Sequence, residues 1–380
     1  MHLTREEEGI LRGEGGEGKR KAMEILVALG DIHDADRLID VSSVQVSGVS
    51  YKTIGDAGLE FLKDFASTGV KVEVLTTLNP MGVDLESWDE LGFSEAFVER
   101  QKEIIEAYTN MDILPSCTCA PYLLGNLPKF GKSISWAESS SAIFANSVIG
   151  ARTNRESGIS ALASAIMGKT PRWGLHLDEN RRGTFIVDVQ TEMSSPSDYA
   201  ALGYNIGKNF DGIPVFRSIR PSLDDMKALG AALATGTIEM FHVEGVTPEC
   251  SALIEEGELE RTKFGDEELE DTYETLNTTE DPDLICIGCP HCSIEEIRKV
   301  IEANPERETW IFTPKENKAL MQKYVKNENI KIVSDTCMVV SPLEDIGIKS
   351  IGTNSAKCAF YSLNLSGLGV KFDRMENLIK

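Results

Sequence analysis

With 380 residues, 41% of them hydrophobic, the chain is long enough to bury a large core and to divide into two or three lobes. Its formal net charge of −23, with no basic stripe to offset it, excludes nucleic acid and anionic membranes as expected partners; a small anion needs only a local positive pocket. No run approaches the roughly 20 apolar residues of a membrane helix, and the opening MHLTREEEGI has neither the basic nor the apolar region of a secretory leader, so a cytoplasmic protein is expected.

In chain order, Thr4 to Glu7 has capping-box spacing and Lys19 to Leu29 a helical period, which predicts two opening helices. Arg37 to Val46 reads as a strand ending in Ser47-Gly48-Val49-Ser50, where backbone N–H groups could approach an anion, although the segment also fits an ordinary turn. Ala57 to Ser67 predicts a helix and Val70 to Thr76 a strand. That strand leads to Asn79-Pro80, where Asn79 can donate and accept hydrogen bonds or simply form an Asx-type turn. A helix over Phe97 to Tyr108 and an extended Asp112 to Pro115 deliver Cys117-Thr118-Cys119. Pro121 keeps its predecessor extended, and only one of the two thiols is expected to face a site.

Trp136 to Ser141 places Glu138, Ser139 and further hydroxyls at the start of a helix that runs to Ile149. Gly150 to Arg155 then sets two guanidiniums, Arg152 and Arg155, in a polar loop, suited to gripping a carboxylate or phosphate; a plain helix cap and solvated arginines fit equally. A small-residue helix over Ser157 to Met167 precedes alternating strands (Thr184 to Val189, Thr237 to His242) and helices (Asp198 to Ile206, Ser222 to Leu233), with His176 and His242 read as structural. The acidic segment Glu255 to Asp281 reads as an exposed, partly helical excursion and as the internal seam before a C-terminal lobe, 282–380. In that lobe, strands Asp283 to Gly288, Thr309 to Thr313 and Ile330 to Ser334 alternate with helices Ser293 to Ala303 and Lys315 to Tyr324, a βαβαβ run that implies a parallel sheet. Gly352 to Lys357 is a further strand-to-helix turn.

Eight cysteines in such a chain do not suggest a disulfide framework, and most are expected to be buried and inert. Cys119, Cys289 and Cys337, however, each follow a predicted strand, and parallel strands bring their carboxyl ends to one edge. Three thiolates suit an iron–sulfur cluster with one open iron or a zinc ion with one open position. A rival set, Cys286, Cys289 and Cys292, has C-x2-C-x2-C spacing, but Cys286 lies inside the strand and no fourth cysteine followed by proline completes it. The dispersed trio is preferred.

The stretches SGVSYK at Ser47, TTLNPMGVD at Thr76, CTCAPYL at Cys117, WAESSSAIFANSVIGARTNRE at Trp136, GCPHCSIEE at Gly288, SDTCMVVSP at Ser334 and TNSAK at Thr353 together resemble the aconitase X family, in its archaeal branch with a separate large subunit. The resemblance implies an α/β, aconitase-like multi-lobed architecture, with parallel or mixed sheets flanked by helices and the iron–sulfur site where strand carboxyl ends converge. It implies a hydro-lyase holding a 4Fe-4S cluster on Cys119, Cys289 and Cys337, acting on (R)-5-phosphomevalonate to give trans-anhydromevalonate 5-phosphate in the archaeal mevalonate pathway. Gly48, Val49, Ser50, Asn79, Pro80, Glu138, Ser139 and Lys357 would line the substrate pocket, with Glu138 and Ser139 as catalytic candidates and Lys357 and Ser50 at the phosphate end. Arg152 is added from its loop. Relatives with a fused architecture carry a small swivelling domain with a proton-transfer serine; here that domain is expected on a separate small subunit, without which turnover is expected to be poor.

Three other readings remain open on the sequence: a cis-3-hydroxy-L-proline dehydratase of the same family, a non-catalytic iron–sulfur sensor or assembly protein, and a zinc hydrolase.

Overall fold

Short apolar runs such as Ser43–Val46, Leu284–Ile287 and Thr309–Thr313 fold here as parallel strands buried along their whole length, because helices cross back over the sheets between them. In the computed structural model, which describes residues 1–250 and 259–380, three wholly parallel sheets succeed one another along the chain. The first has the order Leu75–Leu78, Ser43–Val46, Ser135–Trp136. The second has the order His242–Val243, Pro214–Arg217, Phe185–Val189, Glu260–Phe264. The third has the order Ile330–Ser334, Thr309–Thr313, Leu284–Ile287, Ser350–Thr353, Gly369–Phe372.

Helices cover the sheets according to their caps and apolar faces. The Thr4 hydroxyl accepts the Glu7 N–H and the Glu7 carboxylate accepts the Thr4 N–H, starting the helix Arg5–Leu11; Glu17–Ile32 follows and buries Ala22, Met23 and Leu26. In the second unit, helices Pro196–Asn209 and Leu223–Leu233 pack closely because Gly203 has no side chain: a Cβ there would lie 2.4 Å from the Leu229 carbonyl oxygen. In the third, Ser293 and Glu296 form the predicted capping box of helix Ile294–Ala303.

Several boundaries differ from expectation. The strand expected over Arg37 to Val46 is two: Leu38–Asp40 pairs antiparallel with Lys169–Pro171, and Ser43–Val46 enters the first sheet. The strand expected at Val70 is Leu75–Leu78; the residues before it run as a loop whose Val72 and Glu73 amides bond to Met111 and Ala165 carbonyls at 3.0 and 2.9 Å. Helix Tyr51–Ser67 begins before Ala57 and breaks at Gly55, whose φ is 57°. Of the acidic segment, 255–258 lie outside the described residues; the remainder supplies strand Glu260–Phe264, which pairs with Phe185–Val189, and helix Asp266–Thr275, with Phe264 and Leu269 buried. Among the described residues no helix is long and apolar enough to cross a membrane.

Candidate active site

In the third sheet the chain starts at the central strand Leu284–Ile287, adds Thr309–Thr313 and Ile330–Ser334 on one side, and returns to add Ser350–Thr353 on the other. The reversal opens a crevice at the carboxyl ends of Leu284–Ile287 and Ser350–Thr353, the place where ligands collect in open parallel sheets. Cys289 leaves the first of these strands and Lys357 sits just beyond the second. The carboxyl edge of the first sheet faces them with Asn79-Pro80 after one strand and Ala137-Glu138-Ser139 after another. A cavity of about 230 Å³ lies between, lined by Asn79, Pro80, Cys119, Glu138, Ser139, Arg155, Cys289, Cys337 and Lys357, among others.

Three thiols from three loops therefore share one cavity. Cys119 and Cys337 are buried and Cys289 is partly exposed, whereas Cys117, Cys286, Cys292 and Cys358 are fully buried outside the cavity lining, with Cys250 buried as well. Backbone N–H groups point at two of the sulfurs, His291 to Cys119 Sγ at 3.1 Å and Val339 to Cys337 Sγ at 3.4 Å. The Cys289 thiol is held below its ordinary value, first by its hydrogen bond with Cys337, against the opposing effect of burial, and then by the Lys357 ammonium. The same bond, followed by burial, drives Cys337 up, and burial drives Cys119 up. Among the described residues no three His, Cys, Asp or Glu side chains converge closely enough for a single metal ion. Soft sulfurs spread around a cavity, with N–H groups directed at them, fit a multi-atom iron–sulfur group better than a lone zinc ion.

The cysteine loops are fastened by buried polar side chains. His291 bonds through Nδ1 to Thr118 Oγ1 at 3.0 Å and through Nε2 to the Thr336 carbonyl at 2.7 Å. Burial pushes its imidazole down to about 4, so it is neutral. Gln45 donates to the Thr118 carbonyl at 2.7 Å and accepts from the Ser141 hydroxyl, linking the Cys119 loop to the helix after Glu138. Lys227 reaches from the second unit to the His291 carbonyl at 3.1 Å and to the Glu296 carboxylate. Burial opposes its charge, but Glu296 and Asp224 outweigh that and hold its pKa up.

Glu138 and Lys357 form the polar wall. Lys357 Nζ donates to Glu138 Oε1 at 2.5 Å and to Ser139 Oγ at 2.9 Å. The other carboxylate oxygen accepts the Ser141 N–H at 2.8 Å and the Ser140 hydroxyl. Burial alone would raise the Glu138 carboxyl, yet the Lys357 ammonium and these donors hold it below its ordinary value. Lys357 is correspondingly raised, as Glu138 and Cys289 outweigh its burial. Asn79 Oδ1 is buried and accepts no hydrogen bond among the described residues, so a donor on a ligand would find it free.

Of the residues singled out from sequence, Cys119, Cys289, Cys337, Asn79, Pro80, Glu138, Ser139 and Lys357 meet on this cavity. Gly48, Val49 and Ser50 lie outside its lining: the Gly48 and Val49 carbonyls accept from Tyr108 and Gln101, and Ser50 Oγ donates to the Val340 carbonyl at 2.8 Å, steadying the loop after Cys337. Arg152 also lies outside. It pairs with Asp178 at 2.6 Å and Glu249 at 3.4 Å, while Arg155, three residues on, reaches the cavity. Each arginine lies at an isolated strand-like bridge, Arg152 beside Ser133 and Arg155 beside Trp136, which fixes where each emerges. His291 and Gln45 also serve the site, and because their partners lie far away in the chain, the local signal in the sequence is only the position of His291 two residues beyond Cys289.

Residues 1–179, 183–274 and 282–380 match the aconitase X first, second and third domains. The chain is 50% identical, over its full length and all of the relative, to a phosphomevalonate dehydratase large subunit of Methanocaldococcus jannaschii. It is equally identical, over its full length and 98% of the relative, to that of Methanothermobacter thermautotrophicus. A cis-3-hydroxy-L-proline dehydratase of Hypocrea jecorina is 34% identical, over 97% of this chain and 66% of its own. The crystal structure of Thermococcus kodakaraensis aconitase X in its holo-form superposes with a TM-score of 0.94 at 46% identity, covering 100% of this chain and 99% of that one.

Proposed function

The chain belongs to the aconitase X family, and on that premise we propose that it is the large subunit of a hydro-lyase that dehydrates (R)-5-phosphomevalonate to trans-anhydromevalonate 5-phosphate. One observation carries the substrate: identities of 45–50% along the whole chain to four phosphomevalonate dehydratase large subunits, with a fifth at 35% over 99% of its own length, whereas the hydroxyproline enzymes, at 34–35%, are matched over only 66–67% of theirs. The cofactor is an iron–sulfur group, proposed as a 4Fe-4S cluster on Cys119, Cys289 and Cys337, and the location as cytoplasmic.

Held by Cys119, Cys289 and Cys337, an iron–sulfur cluster would supply Lewis-acid chemistry toward the substrate hydroxyl. The protein residues orient and neutralise. Asn79 Oδ1 accepts from a substrate hydroxyl, and Pro80 holds the turn that presents it. Arg155 at the cavity and the Lys357 ammonium face the phosphate and carboxylate, which would otherwise be repelled by a chain of this charge. Glu138, kept ionised by Lys357, holds the Ser139 hydroxyl beside the reacting carbon. Ser50 serves the same site from behind, through the Val340 loop, with Gly48 and Val49 forming its turn. The proton on the carbon alpha to the carboxylate leaves as the carbon–oxygen bond breaks, so that a double bond and water result. Its acceptor is proposed to be a serine of a separate small subunit.

The test is anaerobic. The chain is purified with its small subunit, iron and sulfide are measured, and phosphomevalonate is followed by proton NMR. A vinylic proton that appears only with the loaded cluster is the expected result; an iron-loaded complex that spares phosphomevalonate and dehydrates cis-3-hydroxy-L-proline would overturn the assignment.

A further inference from the structure

We propose that His291 is a positioning residue that fixes the mutual separation of the three cavity-lining sulfurs, an inference that rests on the reading of Cys119, Cys289 and Cys337 as ligands of an iron–sulfur cluster. The three cysteines lie on three separate loops, and His291 touches all of them. It follows Cys289 by two residues in the same turn. Its ring reaches Thr118, which precedes Cys119, at 3.0 Å, and the carbonyl of Thr336, which precedes Cys337, at 2.7 Å. Its own N–H is directed at Cys119 Sγ at 3.1 Å.

The roles of the two ring nitrogens follow from the partners. A carbonyl oxygen can only accept, so Nε2 carries the proton and donates to Thr336; Nδ1 is then bare and accepts the Thr118 hydroxyl proton. Thr118 Oγ1 in turn accepts the Ala120 N–H at 3.1 Å, which fixes the backbone on the far side of Cys119. His291 is fully buried, so water cannot take the place of either ring partner. A rigid, neutral, two-ended linker between loops from two different sheets sets a distance that no local turn can set. Outer contacts of this kind typically change metal affinity by about 10–100-fold when removed.

The experiment uses the full complex, loaded anaerobically, with variants His291→Ala, His291→Gln and Thr118→Val. Rates of iron loss to a chelator, the EPR spectrum of the reduced cluster, and thermal unfolding of the metal-free chain are recorded. His291→Ala is expected to lose iron about ten-fold faster or more with an altered EPR spectrum. His291→Gln, which can still donate to Thr336, should recover part of the loss, and Thr118→Val should show a smaller acceleration that does not add to that of His291→Ala. If His291→Ala does not fold, Thr118→Val decides: faster iron loss and a shifted spectrum support the assignment, and wild-type values overturn it. Wild-type iron retention and spectrum in a folded His291→Ala likewise overturn it. A wild-type complex that takes up no iron would defeat the cluster reading itself, a result distinct from either.

Discussion

Lys357 and Glu138 come from different sheets, stand 219 positions apart in the chain, and meet at 2.5 Å on one wall of the cavity. Each is buried, and each offsets the charge that burial alone would forbid in the other. The pair is therefore a structural joint with no net charge of its own.

Replacing Lys357 by Met strands the Glu138 carboxylate. Either Glu138 takes up a proton or the fold loses about 3–5 kcal/mol. Urea unfolding of the metal-free chain should show the loss, and Glu138→Gln combined with Lys357→Met should recover much of it. Turnover of phosphomevalonate is expected to fall by about 100-fold or more in the single variant.

The acid side of the stability profile should report the same pair. The folded-state pKa of Glu138 lies below its ordinary 4.5, so its contribution is fully present above that value and is lost as pH falls through the depressed one. Lys357 is shifted above 10.5, so its contribution holds below that value and is lost only as pH rises through the raised one. The stability difference between wild type and Lys357→Met should thus shrink in acid and grow as pH rises, levelling only above the pKa to which burial raises the unpaired Glu138 in the variant. A difference that grew in acid would contradict the pairing.

Serine substitutions separate the cysteines by role. At Cys119, Cys289 or Cys337 each should abolish stoichiometric iron and sulfide in the anaerobically reconstituted complex. At Cys292 or Cys286, whose side chains are fully buried in apolar clusters, the iron content should stay near wild type while stability falls by about 1–3 kcal/mol for a buried hydroxyl. Iron loss at Cys292 equal to that at Cys289 would restore the C-x2-C-x2-C arrangement.

Arg155→Gln should raise KM for phosphomevalonate about ten-fold, equivalent to about 1.4 kcal/mol, with kcat nearly unchanged. Arg152→Gln should leave KM alone and cost about 1 kcal/mol of stability, since Asp178 is exposed and Glu249 keeps its partner Arg181. Steady-state kinetics on both variants distinguishes the two arginines.

Gly288 has φ of 116°, and a Cβ there would lie 2.3 Å from the Phe312 carbonyl oxygen. Gly288→Ala should cost at least about 2 kcal/mol and displace Cys289 enough to lower iron content. Gly347→Ala is the control, with φ of 87° but open space around it, expected to cost about 1 kcal/mol without affecting iron.

The parts of the fold that were legible in sequence are those whose signals are local. In the third unit, Leu284–Ile287 and Ile330–Ser334 are apolar runs bounded by loops, and Ser293 with Glu296 announces a helix start. The strand expected over Val70 to Thr76 begins only at Leu75, because Val70, Val72 and Val74 pack inward from a loop held by Met111 and Ala165. Glu260–Phe264 was hidden in acidic surroundings, since its burial comes from pairing with Phe185–Val189 and only Phe264 is wholly enclosed. For the site, position just after a strand grouped Cys119, Cys289 and Cys337, whereas Glu138 and Lys357 joined them only through the family resemblance of their motifs. Which of Arg152 and Arg155 faces the cavity depends on bridges to Ser133 and Trp136, and the linkage through His291 depends on partners 173 and 45 residues away.

The thiols lining the cavity also impose an order on the birth of the protein. Cys119 leaves the ribosome early, the whole second unit is made next, and Cys337 arrives only near the end, roughly 10–40 seconds later at about 5–20 residues per second. Any group gripped by all three can be completed only once Cys337 has been made and the first and third units can meet. Throughout that interval Cys119 waits without its companions, so the yield of active protein should depend on how quickly delivery follows folding and on how little oxygen is present meanwhile.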